Sequence, residues 1–259
     1  MGRMRIILAG GVALGAALLV GVAAADTPWK GYLNGSPPDT TTVVPPPPEA
    51  GSIRAETDRA IFRQTRALKG TPRWDMAVQD VDERKIVHGM RCAIGVELDP
   101  TNAPKLTGLL TRVAPDVGRV TNIPKDKFQH KRPYLVDEGD ICVEKTEKLA
   151  ASPDYPSGHT TWGWTVGLLL AELAPDRAPQ ILQRARAFGE SRVVCGVHNA
   201  SAVEAGRTNA AALVAALHAS PAFEADMAAA RSELDRARQT LPKAANCDAE
   251  AALLAKPVW

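Results

Sequence analysis

An all-α fold follows from three observations on this 259-residue sequence. Aromatic residues make up only 5% of the chain while Ala and Leu are abundant, a balance that suits helices better than sheet. Apolar residues recur at helical spacing in one segment after another. No β-hairpin signal and no internal repeat interrupts them. The apolar fraction of 45% is enough to fill a core, and the length suits one large domain.

Taken in order, residues 1–25 read as a signal peptide. Arg3 and Arg5 give a positive start, residues 6–22 are apolar and small, and Ala23-Ala24-Ala25 offers a cleavage site before Asp26. Residues 26–52 are rich in Pro, Gly and Thr and include Pro45-Pro46-Pro47-Pro48. They are expected to form an extended proline-rich arm along the folded body or along a partner subunit. Residues 53–259 form the helical domain. Within it, 53–69 (Ile61, Phe62, Leu68) reads as an amphipathic helix stopped by Gly70, and 73–86 (Trp74, Met76, Val78, Val81, Ile86) as another. Residues 88–97 are assigned to helix on context, and 103–117 show helical spacing through Leu106, Leu109, Leu110, Val113 and Val117. Residues 121–150 are polar and irregular. Residues 157–173 are an apolar core helix with Ser157 as N-cap, too short and too well capped for a membrane span. Charged, Ala-rich and ion-pairing helices follow at 176–194, 199–218 and 221–239, with a short one in 243–259.

Charge excludes some functions. The formal balance is 31 − 29 = +2, and removing residues 1–25 takes Arg3 and Arg5 away, which brings it near zero. No nucleic-acid partner and no polybasic membrane anchoring are expected after signal cleavage. Four cysteines, Cys92, Cys142, Cys195 and Cys247, suggest two disulfides in an exported chain, with the pairing left open. None has metal-ligand spacing.

Three segments carry groups suited to an oxyanion. Lys125 and Arg132, followed by Pro133, are two cations seven residues apart, able to share a helix face or converge from a turn. Pro156-Ser157-Gly158-His159 sits at a helix start, where unpaired backbone N–H groups and the helix dipole favour an anion and a glycine admits it closely. Ser191-Arg192 is followed five residues later by His198. The stretch Lys-x6-Arg-Pro, Pro-Ser-Gly-His, Ser-Arg-x5-His, with 22 residues between Pro133 and Pro156 and 31 between His159 and Ser191, resembles the phosphatidic acid phosphatase type 2 (PAP2) superfamily. Within it the chain looks most like the secreted bacterial class A non-specific acid phosphatases.

The resemblance implies a helical bundle of the PAP2 acid phosphatase type that hydrolyses small-molecule phosphate monoesters of broad range in the periplasm, with possible transfer to other alcohols. It implies no cofactor and no metal, and a homo-oligomer is expected. Carried over to matching positions, His198 is the nucleophile that forms a phosphohistidine. His159 protonates the leaving alcohol and then activates water. Lys125, Arg132, Ser157, Gly158 and Arg192 bind the phosphate. The physics agrees, because phosphoryl transfer needs positioning and charge neutralisation above all. The sequence departs from the family at one place. The family continues His-x3-Asp, with the aspartate orienting the nucleophile, whereas here Ala202 stands in that position. Ser201, Glu190 or a buried water are the substitutes weighed from sequence. A degenerate phosphate-binding protein with little turnover is the alternative reading. His88 and His218 read as structural, and His130 as a residue of the pocket mouth.

Overall fold

The computed structural model describes residues 30–259. The signal-peptide expectation and the first residues of the arm lie outside that range. The helices are α1 (Ile53–Thr65), α2 (Pro72–Gln79), α3 (Ile86–Gly89), α4 (Arg91–Ile94), α5 (Pro104–Phe128), α6 (Glu147–Ala151), α7 (Gly158–Leu173), α8 (Ala178–Val194), α9 (Ala200–Leu217), α10 (Pro221–Thr240) and α11 (Cys247–Leu254). Strands are absent among the described residues, where one isolated bridge joins Val96 to Lys243. The fold is all-α.

The apolar helix α7 is the axis of the bundle, packed between α8, α9 and α5. Val166, Leu169, Leu170 and Leu173 on it are fully buried, each contributing on the order of 2 kcal/mol by removal from water. Its approach to α8 is close enough that a Cβ on Gly167 would fall 2.3 Å from the Cβ of Ala185. On α5 the residues Leu106, Leu109, Leu110, Val113, Val117 and Val120 form one buried stripe at helical spacing. α10 covers the other side of α5.

Three segments differ from the sequence reading. The segment 73–86 ends at Gln79, and Asp80 leaves the helix to pair with the guanidinium of buried Arg184 at 2.5 Å and to accept from Ser191 Oγ at 2.6 Å. Residues 88–97 form single turns that stop at Gly95, whose φ of 92° is left-handed. α5 runs eleven residues past 117, to Phe128, through Pro115 and Pro124. Pro124 has no N–H to give to the Val120 carbonyl. That carbonyl is instead satisfied by Asn209 Nδ2 at 3.2 Å and Thr40 Oγ1 at 3.5 Å. The continuation puts Lys125 on the last turn of α5.

The described part of the arm lies on the body. The N–H of Tyr32 donates to Asp116 of α5 at 2.6 Å, and its ring packs edge-on against Phe223 of α10 at 5.3 Å. Further along, Val44 is buried against Tyr155, whose hydroxyl donates to the Pro45 carbonyl at 2.6 Å. The arm therefore braces the loop that leads into α7.

The cysteines pair as Cys92–Cys247 and Cys142–Cys195. The second bond ties the irregular 129–146 region to the end of α8, just before His198. Replacing Cys142 and Cys195 with serine is expected to cost about 4 kcal/mol in urea unfolding, the loop-entropy value for a separation of 53 residues.

Candidate active site

The three sequence segments meet at the N-terminus of α7. Ser157 is its N-cap, and its Oγ accepts from Thr160 N at 3.3 Å and Thr160 Oγ1 at 3.0 Å. Its own N–H donates to the Ala202 carbonyl at 2.9 Å, which fixes α7 against the start of α9. A Cβ on Gly206 of α9 would stand 2.8 Å from the Ser157 carbonyl, so glycine permits this contact. Gly158 begins the helix and lines a cavity of about 400 Å³ together with Lys125, Thr121, Glu83 and Trp162.

The cations converge from different elements. Lys125 comes from the end of α5, and the left-handed Gln129 that follows turns the chain so that Arg132 returns toward it. Lys125 Nζ donates to the Pro153 carbonyl. Arg132 holds Ser152 O at 2.8 Å and Val197 O at 2.8 Å, and its Nη1 stands 3.2 Å from His198 Nε2. Burial and the Arg132 charge push the Lys125 pKa down to about 8. They also push Arg192 down to about 10. Arg192, near the end of α8, is 4% exposed, and its Nε and Nη1 have no protein partner. Buried donors are almost always paired, because leaving one unmet costs about 1–3 kcal/mol and more when charged. A guanidinium with free donors beside other cations is a seat for an anion.

His198 is buried on the turn between α8 and α9. Its Nδ1 lies 2.8 Å from Asp154 Oδ1. The carboxylate only accepts, so Nδ1 carries the hydrogen and Nε2 keeps its lone pair, facing Arg132. Burial, reinforced by Arg132, holds the ring pKa well below the ordinary value despite the pull of Asp154, so the imidazole is neutral. Asp154 is fully buried, yet its hydrogen bonds and the nearby His198 hold its pKa below the usual carboxylate range against the desolvation that opposes them. It accepts from His198, from Asn199 N at 3.2 Å, from Asn199 Nδ2 at 2.9 Å and from His130 Nδ1 at 3.2 Å.

The substitutes weighed from sequence for the missing aspartate are therefore corrected. Ser201 gives its hydroxyl to Asp58 at 2.5 Å, and Glu190 faces Arg186 and Arg207. The carboxylate against His198 comes from Asp154, three residues ahead of Ser157 in the loop the arm braces. Ala202, at the family position, is buried against Tyr155. The sequence signal was an aspartate adjoining the Pro-Ser-Gly-His segment, in a chain with alanine at position 202. His130 backs Asp154 and is not at the mouth of the cavity that Lys125 lines. His88 and His218 are exposed and paired with Glu97 and with Glu224 and Glu172.

His159 lies two residues past the cap. Its ring stacks on Phe188 at 6.2 Å and feels the charge of Arg192. Nδ1 is 2.9 Å from Glu83 Oε1, and Nε2 is 2.9 Å from the Val81 carbonyl. Glu83 is a site residue the sequence reading missed.

The PAP2 superfamily model matches residues 106–224, a span that holds Lys125, Arg132, Asp154, Ser157, His159, Arg192 and His198. An acid phosphatase of Zymomonas mobilis is 43% identical over 196 residues, 73% of each chain. Non-specific acid phosphatases of Providencia stuartii and Salmonella typhimurium are 34% and 33% identical, covering 74% and 72% of this chain and 79% and 76% of their own. The chain belongs to the PAP2 superfamily. No helix among the described residues is long and apolar enough to cross a membrane.

The unpaired guanidinium generates a prediction. Arg192→Met should weaken inorganic phosphate binding at least tenfold by calorimetry while raising the ligand-free Tm, since a buried charged donor without a partner is removed. Phosphate should raise the Tm of the wild type and not that of the variant.

Proposed function

We propose that this protein is a phosphomonoesterase that hydrolyses small phosphate monoesters of broad range through a phosphohistidine on His198. The observation that carries the reading is the neutral His198, its Nδ1 fixed by Asp154 and its Nε2 lone pair facing Arg132, in a group of buried cations that includes Arg192 with its unpaired donors. Lys125, Arg132 and Arg192, with Ser157 and the Gly158 N–H, neutralise the phosphoryl oxygens and need no metal for it. Nε2 attacks phosphorus as the bond to the ester oxygen breaks. His159 gives that oxygen a proton, and the alcohol leaves. His159 then takes a proton from water, the hydroxyl oxygen bonds to phosphorus, and the P–N bond returns its electrons to His198. An alcohol in place of water gives phosphotransfer. The reading includes export to the periplasm under the signal-like residues 1–25 and substrates free in solution. A phosphate binder without turnover was favoured by Ala202 alone, and Asp154 removes its reason.

Purified protein is expected to hydrolyse p-nitrophenyl phosphate, with EDTA leaving the rate intact and vanadate competing. Loss of activity with EDTA and return with zinc or magnesium would overturn the metal-free reading.

Asp154→Ala should lower kcat by roughly two to four orders of magnitude, as loss of an orienting carboxylate does elsewhere. Adding Ala202→Asp to that variant returns a carboxylate at the family position and should recover part of the loss. No recovery, with the fold intact by circular dichroism, would mean the two positions are not equivalent.

The Lys125 pKa of about 8 predicts an alkaline limb. Its pKa is lowered on folding, so the charge is present below that value and lost above it. In the free enzyme kcat/KM should fall as pH rises through this region, and Lys125→Arg should move that limb to higher pH.

A further inference from the structure

His159 has both ring nitrogens occupied, and the two partners are not alike. The Val81 carbonyl can only accept, and so can an ionised Glu83, so a ring that meets both carries hydrogen on both nitrogens and is charged. The carbonyl cannot take up a proton whereas the carboxylate side opens to the cavity, so the ring that has given one up is the Nε2–H tautomer. The proton that comes and goes sits on Nδ1, and the group 2.9 Å from Nδ1 is the Glu83 carboxylate. Glu83 opens a 3₁₀ turn, Glu83–Lys85, whose start is capped by the Asp82 side chain accepting from Arg84 N. Its backbone is tied to α7 as well, because Trp162 Nε1 donates to the Glu83 carbonyl at 3.3 Å. The residue is thus fixed from two sides.

Glu83 also stands at the edge of open space. It lines the cavity of about 400 Å³ that begins at Lys125 and Gly158. It lines an adjoining one of about 450 Å³ as well, which continues past Trp162. An ester whose phosphoryl group sits on Lys125 and Gly158 has this space for its alcohol. The charged groups acting on the ring are Glu83 from the turn and Arg192 from α8. Burial and Arg192 both oppose a charged imidazole, while Glu83 and the Val81 carbonyl favour it.

We propose that Glu83 is a positioning residue that holds the Nδ1 proton of His159 on the cavity side, ready for the departing alcohol. This rests on the phosphatase reading above. As the P–O bond breaks, its electron pair goes to the ester oxygen, which takes the Nδ1 proton. His159 is left as the Nε2–H tautomer, and its Nδ1 lone pair, beside Glu83, receives the proton of the incoming water.

The test compares two substrates with unequal need for that proton. p-Nitrophenol departs as a stable phenolate, whereas glycerol from glycerol 2-phosphate departs poorly without protonation. Glu83→Gln should lose kcat on glycerol 2-phosphate at least ~tenfold more than on p-nitrophenyl phosphate, within the range of general-acid effects. The alkaline limb of kcat/KM that belongs to His159 should shift to lower pH, because the group that favours its charged form is gone. Glu83→Asp should recover part of both changes. Nitrogen-15 imidazole spectra of the resting wild type should show Nε2 protonated throughout and Nδ1 titrating. Equal losses on the two substrates with an unmoved limb, or a neutral ring protonated on Nδ1, would overturn the proposal. A wild type that hydrolyses neither substrate would overturn the phosphatase reading itself.

Discussion

One buried carboxylate holds the catalytic end of the bundle together. Asp154 has no exposed surface, and an isolated charge in that position would cost several kcal/mol. It is tolerated because four donors surround it, two from Asn199 and one each from His198 and His130. Those donors belong to the turn that opens α9 and to the segment that follows α5. Asp154 itself stands on the loop before α7. Its N–H, donating to the His130 carbonyl at 2.7 Å, adds a backbone bond to the same junction. One charged side chain therefore ties α5, α7 and α9 together at this end, alongside the Ser157 N–H to Ala202 carbonyl bond.

The two histidines share a positive field but differ in what opposes it. His198 meets a fully buried carboxylate and the nearby Arg132, and it stays neutral. His159 meets a half-buried carboxylate at the edge of a cavity. Two like groups in one site thus stand in different surroundings, the arrangement by which a pair of titratable groups can differ in proton affinity.

Much of this was legible in the sequence. The cap at Ser157 and apolar periodicity located the main helices. The spacing of Lys125, Arg132, Ser157, Arg192 and His198 named the residues that converge. What escaped was set by distant partners. The helix read over 103–117 continues to Phe128 through Pro124, where Asn209 and Thr40 meet the carbonyl that Pro124 frees. The helix expected to reach residue 86 stops at Gln79 because Asp80 is committed to Arg184, 104 residues away. Asp154 and Glu83 escaped for the same reason, since each meets its histidine 44 and 76 residues along the chain.

The contact of Tyr32 with α10 also constrains the order of events during synthesis. Its hydroxyl donates to Asp226, 194 residues later in the chain, and its ring needs Phe223. A nascent chain emerging from its first residue onward has no such surface until α10 has been made. The arm is thus made before the surface on which Tyr32 docks. Val44 and Pro45, about a dozen residues on, brace the loop that holds Asp154. The docking of the arm therefore waits for α10, and a fragment with the arm and motifs but without α10 would carry the site residues in a looser frame.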